Sequence, residues 1–395
     1  MSEFRTIREL CSVVVDCPHS TPKWTANGKI VIRNKNIKHG KIDFSSPSYT
    51  DDEHFAQRIK RAKPQPGDII ITREAPIGDV GMIPENTECC LGQRMVLLRA
   101  NQSVCDNFYL LYSLQSLYVQ HQISWSEGTG TTVSNLRIPH LEQIQIPYLP
   151  LEQQAKISSV LRALEEKIEN NRRLNDNLEQ QAHSYFQELF VDNASPEWTT
   201  GTISDLGTVV GGSTPSKAKP EYYTESGIAW ITPKDLSINN SKFISHGEND
   251  ITELGLKNSS AAIMPEGTVL FSSRAPIGYI AIAAGEVTTN QGFKSVVPKP
   301  EIGTPFVYFF LKNTLPVIEG MASGSTFKEV SGSTMKNVPA VIPDAEILAK
   351  FSDFCAPIFA QQRTLEEQNQ SLAKLRDSLL PKLMSGEIDV SAVHL

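Results

Sequence analysis

Short apolar runs bounded by turn residues come first along this chain. A long stripe of apolar residues at three- and four-residue steps follows, and the same succession then occurs again. Ile69-Ile70-Ile71-Thr72 comes after Pro66-Gly67-Asp68, and Val269-Leu270-Phe271-Ser272 comes after Gly267-Thr268. β-Branched and aromatic runs of this length after a turn predict strands. Beyond each lies the same tetrapeptide, Ala75-Pro76-Ile77-Gly78 and Ala275-Pro276-Ile277-Gly278, at an offset of 200 residues. Proline cannot donate to a sheet ladder and glycine permits positive φ, so Pro76-Ile77-Gly78 predicts a loop between paired strands. The partner strands are expected at Asp79–Ile83 and Tyr279–Ala283, and further strands at Met95–Leu98 and Ser295–Val297. Phe108–Leu117 and Phe306–Leu315 predict short, largely buried helices, the second starting at Thr304-Pro305 with proline in its first turn. Polar Gly, Ser and Thr loops follow at Gly128–Thr132 and Ser323–Thr326.

The stripes that close each half are of another kind. Leu161, Leu164, Ile168, Leu174, Leu178, Ala182, Tyr185 and Leu189 recur at helical spacing, and Phe354, Ile358, Leu365, Leu372, Leu379 and Leu383 form the second set. Glu, Gln, Asn, Lys and Arg fill the gaps. The pattern predicts two coiled-coil helices of about four heptads, each roughly 50 Å long. The first is expected to be free of proline, and the second to meet one only at Pro381. Asn175 and Asn369 match between copies, and polar residues of this kind in a seam fix register. The helices are expected to pair with each other. A unit of nearly two hundred residues is too long for a solenoid repeat. The division expected is a first domain at 1–150, a central helix at 151–195, a second domain at 196–344 and a distal helix with its tail at 345–395.

Composition narrows the class. Hydrophobic content of 40% and charged content of 21% are those of a globular protein. No apolar stretch approaches the ~18–20 residues that span a bilayer, and the charged start MSEFRTIREL lacks an apolar signal core, so a cytoplasmic location and no membrane partner are expected. Cys11, Cys17, Cys89, Cys90, Cys105 and Cys355 form no CxxC pair and do not follow the duplication, which predicts free thiols. The net charge is −7, and no segment is strongly basic: residues 1–150 carry 16 Lys and Arg against 15 Asp and Glu, and residues 196–344 carry 11 against 14. A nucleic-acid binder acting unaided is normally basic.

Catalytic patterns are missing. Gly211-Gly212-Ser213-Thr214-Pro215-Ser216-Lys217 lacks the Gly-Lys-Ser/Thr ending of a phosphate loop, and no HExxH or paired-His motif is present. Asp68 and Glu74 as a nuclease pair have no parallel in the second copy, where Thr268 and Arg274 stand. His19, His39, His54 and His183 read as ordinary surface or core residues. Matched positions that are Gly, Pro and apolar, without acids or bases, indicate a binder; neither a catalytic nor a metal residue is expected.

Two globular units each followed by a long helix resemble the specificity subunit of type I restriction–modification systems. The resemblance rests on Ile146-Pro147-Tyr148-Leu149-Pro150-Leu151-Glu152-Gln153-Gln154 leading into the first helix. It rests also on the Gly67-Asp68-Ile69-Ile70-Ile71-Thr72-Arg73 stretch with its Pro-Ile-Gly, and on Leu379-Leu380-Pro381-Lys382-Leu383-Met384-Ser385-Gly386-Glu387-Ile388 near the end. It covers essentially the whole chain. The second copy departs at Pro343-Asp344-Ala345-Glu346-Ile347, where the family's Pro-Leu-x-Glu-Gln is weakened. The resemblance implies an α+β protein with two tandem homologous mixed α/β target-recognition domains, separated by two long antiparallel coiled-coil helices in pseudo-two-fold relation. It implies a non-catalytic reader of a bipartite, asymmetric site in double-stranded DNA, scaffolding two methyltransferase (modification) subunits and restriction (motor–nuclease) subunits. No cofactor is implied for this chain; S-adenosylmethionine, ATP and Mg belong to the partner subunits.

Base edges are read by side chains of fixed hydrogen-bonding geometry and phosphates by Lys, Arg, Ser and Thr. Loops at matched positions therefore supply the candidates for DNA contact. In the first copy they are Arg33, Asn34, Lys35, Thr72, Arg73, Gln93, Arg94, Thr131 and Thr132. In the second they are Thr232, Lys234, Ser273, Arg274, Gln291, Lys294, Ser325 and Thr326. Arg58, Lys60, Arg61 and Lys63 form a basic cluster without a counterpart. A protein-binding coiled-coil scaffold, or a nuclease with an unrecognised site, are the alternatives.

Overall fold

A computed structural model of the chain describes residues 3–38, 40–125, 135–239, 241–324 and 328–390. Its contacts divide it into two compact units. Unit 1 comprises Met1–Lys167 with Ser371–Leu395, and unit 2 is Ile168–Gln370.

In unit 1 a four-stranded antiparallel sheet runs in the order Cys11–Asp16, Met95–Ala100, Ile69–Thr72, Val80–Met82. In unit 2 the equivalent strands, Gly207–Gly211, Lys294–Pro298, Val269–Ser273 and Ile277–Ala283, keep the same order, and Phe243–Ile244 adds a parallel edge. Leu98 sits opposite Ile69, and Val296 opposite Val269, so the two sheets share register. A second sheet repeats as well. Lys29–Ile32 lies between Ser48–Thr50 and Cys89–Leu91, and Ile228–Ile231 lies between Asn249–Ile251 and Thr288–Thr289.

The strands read as unbroken apolar runs because both sheet faces are covered. Successive side chains point to opposite faces. Ile69, Ile71, Val96 and Leu98 enter the core shared with helix Asn107–Gln115, while Ile70, Met95 and Leu97 enter a second core with Ile32 and Ile37. In unit 2, Val269, Phe271 and Val296 pack under Thr304–Met321, and Leu270, Ala281 and Ala283 pack beside Ile231. The turns before the central strands match in detail. Gly67 and Gly267 have φ of 83° and 84°, and their N–H groups donate to Ile83 and Ala283 carbonyls at 2.9 Å. A side chain there would be strained, and its Cβ would lie 2.5 Å from Asn107 and 2.9 Å from Thr304. The two Ala-Pro bonds that follow are both cis.

Some elements differ from the sequence reading. The loop expected through Ile277-Gly278 is strand, since Ile277–Ala283 begins at once after Pro276. The helix expected to end near Leu315 runs to Met321 through Pro316, because Ile318 is fully buried beyond it. The central helix is Leu151–Gln187, continued by a wider turn at Glu188–Asp192. The distal helix, Ala345–Met384, carries Pro357 in its interior as well as Pro381. The Gly128–Thr132 loop lies outside the described residues, as do Ser325 and Thr326.

The long helices contribute to both units and meet antiparallel within each. In unit 1, Arg376 of the distal helix lies 3.7 Å from Glu165 of the central helix, and Glu165 accepts from Tyr112 at 3.0 Å. Leu383, Met384 and Val390 join Ile157 and Leu161 in the unit 1 core. In unit 2, fully buried Asn171 donates to Gln368 at 3.3 Å, and Gln362 donates to the Asn175 carbonyl at 3.1 Å. The seam is therefore polar on both helices here. Leu174 and Phe354, assigned to the apolar stripe, are 43% and 40% exposed.

An ionic cluster fastens the unit 2 sheet edge to both helices. Lys242, on the loop before the edge strand, has a side chain only 6% exposed and pairs with Glu179 of the central helix. It donates to Gln362 of the distal helix at 2.6 Å, and its ammonium lies 4.0 Å from the Phe359 ring and 4.7 Å from that of Tyr308. Glu179 also accepts from Lys312 at 2.6 Å and from Tyr308 at 3.2 Å. Glu366 accepts the backbone N–H of Lys242 and Phe243. Burial drives the Lys242 ammonium below its usual range. Burial opposes ionisation of Glu179 too, but Lys242 and Lys312 outweigh it and hold the carboxyl low.

Candidate nucleic-acid interface

Candidate loops leave the same end of the two central strands in each unit: Arg73 follows Ile69–Thr72 and Gln93 precedes the antiparallel Met95–Ala100, as Arg274 follows Val269–Ser273 and Gln291 precedes Lys294–Pro298. In unit 1, Asn34, Arg73 and Arg94 belong to one hydrogen-bonded group. Asn34 donates to the Glu74 carbonyl at 2.6 Å, and the Glu74 carboxylate meets Arg94 at 3.2 Å and accepts from Asn135 at 2.7 Å. Asn135 in turn accepts from Arg73 at 3.1 Å, and Arg73 spans both Asp16 oxygens at 2.9 Å. Gln93 donates to the His19 carbonyl and, at 3.3 Å, to Thr21. Arg33 lies 5.1 Å over Trp24, which is 45% exposed, and a cleft of about 320 Å³ opens between them, Pro47 and Tyr49. Lys35 donates to Ser46.

Two candidates leave this surface. Thr72 is fully buried, and its hydroxyl accepts the Asp79 N–H at 2.9 Å, because it ends a strand covered on both faces. Arg73 is mostly buried and its fork is filled by Asp16, Asn135 and the Leu136 carbonyl, which makes it a brace for the loops. The basic cluster divides similarly. Arg58 is 6% exposed and donates to four carbonyls, those of Pro18, Ser20, Leu91 and Gly92. Five donors in a rigid fork suit that task. Lys63 pairs with Glu88, and Arg61 reaches the Asp16 carbonyl.

Unit 2 repeats the arrangement with other residues. Gln291 accepts from Thr214, and Lys294 donates to the Gln291 carbonyl at 3.3 Å. Glu329 approaches Arg274 at 3.6 Å and Lys294 at 3.8 Å. Burial first, set against that carboxylate, leaves the Lys294 ammonium below its ordinary value. Lys234 pairs with Glu248 at 2.6 Å and is held above its usual range by that bond. Thr232 is spent on capping: its backbone N–H and hydroxyl both donate to Asp235 at the start of Pro233–Ile238. Ser273 is fully buried and donates to the Gly292 carbonyl, so like Thr72 it is part of the core. Thr131, Thr132, Ser325 and Thr326 lie outside the described residues.

Sequence reasoning did not find Thr21, Trp24, Asn135 or Thr214. The signal was present for two of them, since Ser20-Thr21-Pro22 and Ser213-Thr214-Pro215 are the same tripeptide. The basic side chains named here mostly face carboxylates, which reconciles a polar, Arg-bearing surface with an acidic chain. Among the described residues no group of three or more His, Cys, Asp or Glu is placed to hold a metal ion. No described helix is long and apolar enough to cross a membrane. All six cysteines are free and buried, and burial pushes the Cys89 and Cys355 thiols up to about 12.

Comparison with known proteins agrees with this doubling. The chain is 38% identical over 192 residues to the type I restriction enzyme MjaIX specificity subunit of Methanocaldococcus jannaschii, a match covering 48% of this chain and 44% of that one. It is 29% identical over 194 residues to the HindI specificity subunit of Haemophilus influenzae, covering 48% and 42%. The chain thus spans a little under half the length of these two relatives. A putative MjaX specificity subunit from M. jannaschii aligns over 98% of this chain and 94% of its own at 21% identity. In fold, the chain is similar to the S subunit of a type I restriction–modification system from M. genitalium, with a TM-score of 0.61, 19% identity and coverage of 97% and 96%. The model of the type I restriction modification DNA specificity domain matches residues 3–180 and again residues 196–373, so the chain belongs to that family and carries its domain twice.

Proposed function

We propose that this chain is the sequence-reading subunit of a type I restriction–modification system and takes no part in bond making itself. One observation carries the reading. The same sheet order, register and loop cluster occur in both units, and a matched Thr and Gln touch in each. A protein built of two such readers suits a bipartite site, one half per unit. The loops differ in side chains, so the halves differ in sequence. The central helix has 37 residues, which at ~1.5 Å per residue gives roughly 55 Å. A continuous helix shared by both units acts as the ruler for the unspecified spacer. The chemistry comes from partners: two methyltransferase subunits bring S-adenosylmethionine, and motor–nuclease subunits bring ATP and Mg.

The carboxylates beside Arg94, Lys234, Arg274 and Lys294 must be displaced or outcompeted before phosphates occupy those cations. Binding of double-stranded DNA by the chain alone is accordingly weak, and partners supply much of the phosphate neutralisation. The test is methylation sequencing of a host carrying the chain with its methyltransferase subunits. The expected result is a two-block asymmetric site. One helical turn, about four residues, inserted beside Asn175 and Asn369 lengthens the spacer and leaves both blocks unchanged. A single contiguous block, or insertion variants that alter the blocks themselves, refutes the reading.

A further inference from the structure

A Thr–Gln contact occurs in both loop clusters. Gln93 lies three residues before Val96, which sits opposite Asp16 in the sheet; Gln291 lies three residues before Lys294, which sits opposite Gly211. The glutamines therefore hold the same ladder position. Thr21 and Thr214, each inside a Ser-Thr-Pro turn, leave the strands that end at Asp16 and Gly211. The two turns have different lengths, and the fold compensates. In unit 2 the Ser213 N–H donates directly to the Thr289 carbonyl at 2.8 Å, and Gly212 lies so close that a Cβ there would fall 2.0 Å from the Asn290 carbonyl oxygen. In unit 1, where the threonine comes two residues later after its strand, the buried Arg58 guanidinium fills the gap. It ties Pro18 and Ser20 of the turn to Leu91 and Gly92 beside the glutamine. Different means deliver one result, a threonine hydroxyl against a glutamine amide.

We infer that Thr21 and Thr214 are positioning residues, each fixing the amide of its glutamine for readout of a base in one half of the DNA site. This rests on the function proposed above. A free glutamine rotates; a tied one holds its amide at a fixed place, and a carbonyl partner also fixes which end faces outward. The Gln93 NH2 group is committed to the His19 carbonyl and Thr21, which leaves Oε1 as an acceptor without a protein partner among the described residues. An acceptor matches an exocyclic amino group in the major groove, adenine N6 or cytosine N4. In unit 2 the Thr214 hydroxyl holds the Gln291 amide, and because a hydroxyl both donates and accepts, the other end of that amide, NH2 or Oε1, faces the base.

The experiment uses the chain assembled with its methyltransferase subunits. Duplexes carrying the cognate site compete with duplexes bearing one altered base pair in either half, and the binding ratio is read. Thr214→Val lowers discrimination about tenfold at one position of one half-site, and Thr214→Ser restores it. That factor corresponds to a net hydrogen bond of about 1.4 kcal/mol. Thr21→Val lowers it only about threefold, in the other half, because the His19 carbonyl still holds Gln93. Melting curves identical to wild type accompany both. Ratios unchanged in either valine variant, or changes that fall in the same half for both, overturn the inference. Failure of the wild-type assembly to prefer any two-block site overturns the function itself instead.

Discussion

Replacing Glu179 by leucine tests the ionic cluster of unit 2 quantitatively. The variant leaves the Lys242 ammonium, 6% exposed, with Gln362 and three aromatic rings but no carboxylate in direct contact. Removing one member of a buried pair costs about 3–5 kcal/mol, because the other charge stays desolvated. The rings soften this, as cation–π contacts are worth roughly 0.5–2 kcal/mol each. The loss of the acceptor for the Tyr308 hydroxyl adds about 1 kcal/mol. Lys312 is more exposed and adds little. The expected total is about 4 kcal/mol of unit 2 stability. Glu179→Leu with Lys242→Met removes both charges, and recovers all but about 1 kcal/mol. The assay is urea unfolding followed by tryptophan fluorescence. Trp198 and Trp230, both in unit 2, are buried, whereas Trp24 and Trp125 of unit 1 are already exposed, so the signal reports chiefly on unit 2. A single-variant cost under about 1 kcal/mol, or a double variant equal to the sum of the singles, refutes the account of Lys242 as a charge held in place by its partner.

Three further outcomes are expected. Leu383→Ala destabilises unit 1 by about 2–4 kcal/mol, since Leu383 is 2% exposed in the unit 1 core; separate melting of the units shows the unit 2 transition unmoved. Arg58→Met leaves four carbonyls without their donor and lowers unit 1 stability by about 2–4 kcal/mol, with faster amide exchange at Gly92 and Gln93 as the measured sign. Lys29 and Lys63 hold the Glu88 carboxyl down at about 2 against an ordinary 4.5. Its pairing therefore supports the fold above pH 4.5 and is lost as pH falls toward 2; Glu88→Gln flattens that part of the melting-temperature profile and changes little at pH 7.

The duplication, the central strands and the long helices were legible because they are periodic and local. Ile69–Thr72 coincides with its strand, since a run apolar on both faces between turn residues has few other fates. Helix ends were less so: Pro316 and Pro357 sit inside helices that burial of Ile318 and Ile358 carries onward. The site was least legible. Arg58 and Arg94 look alike in sequence, yet one is sealed against main-chain carbonyls while the other reaches solvent. What separates them is the tertiary position of loops more than thirty residues away, which no local pattern encodes. Thr72 and Ser273 failed as surface candidates for the related reason that a strand end is covered by whatever loop crosses it.

Residues near the end of the distal helix complete a core begun at Ile7. On the ribosome, every segment of unit 2 emerges before the last pieces of unit 1 are made, although unit 1 is started first. The earlier module must wait, partly open, for Leu383, Met384 and Val390. A nascent chain stopped by a premature codon between Gln370 and Leu383 would release a finished second reader attached to an unfinished first one.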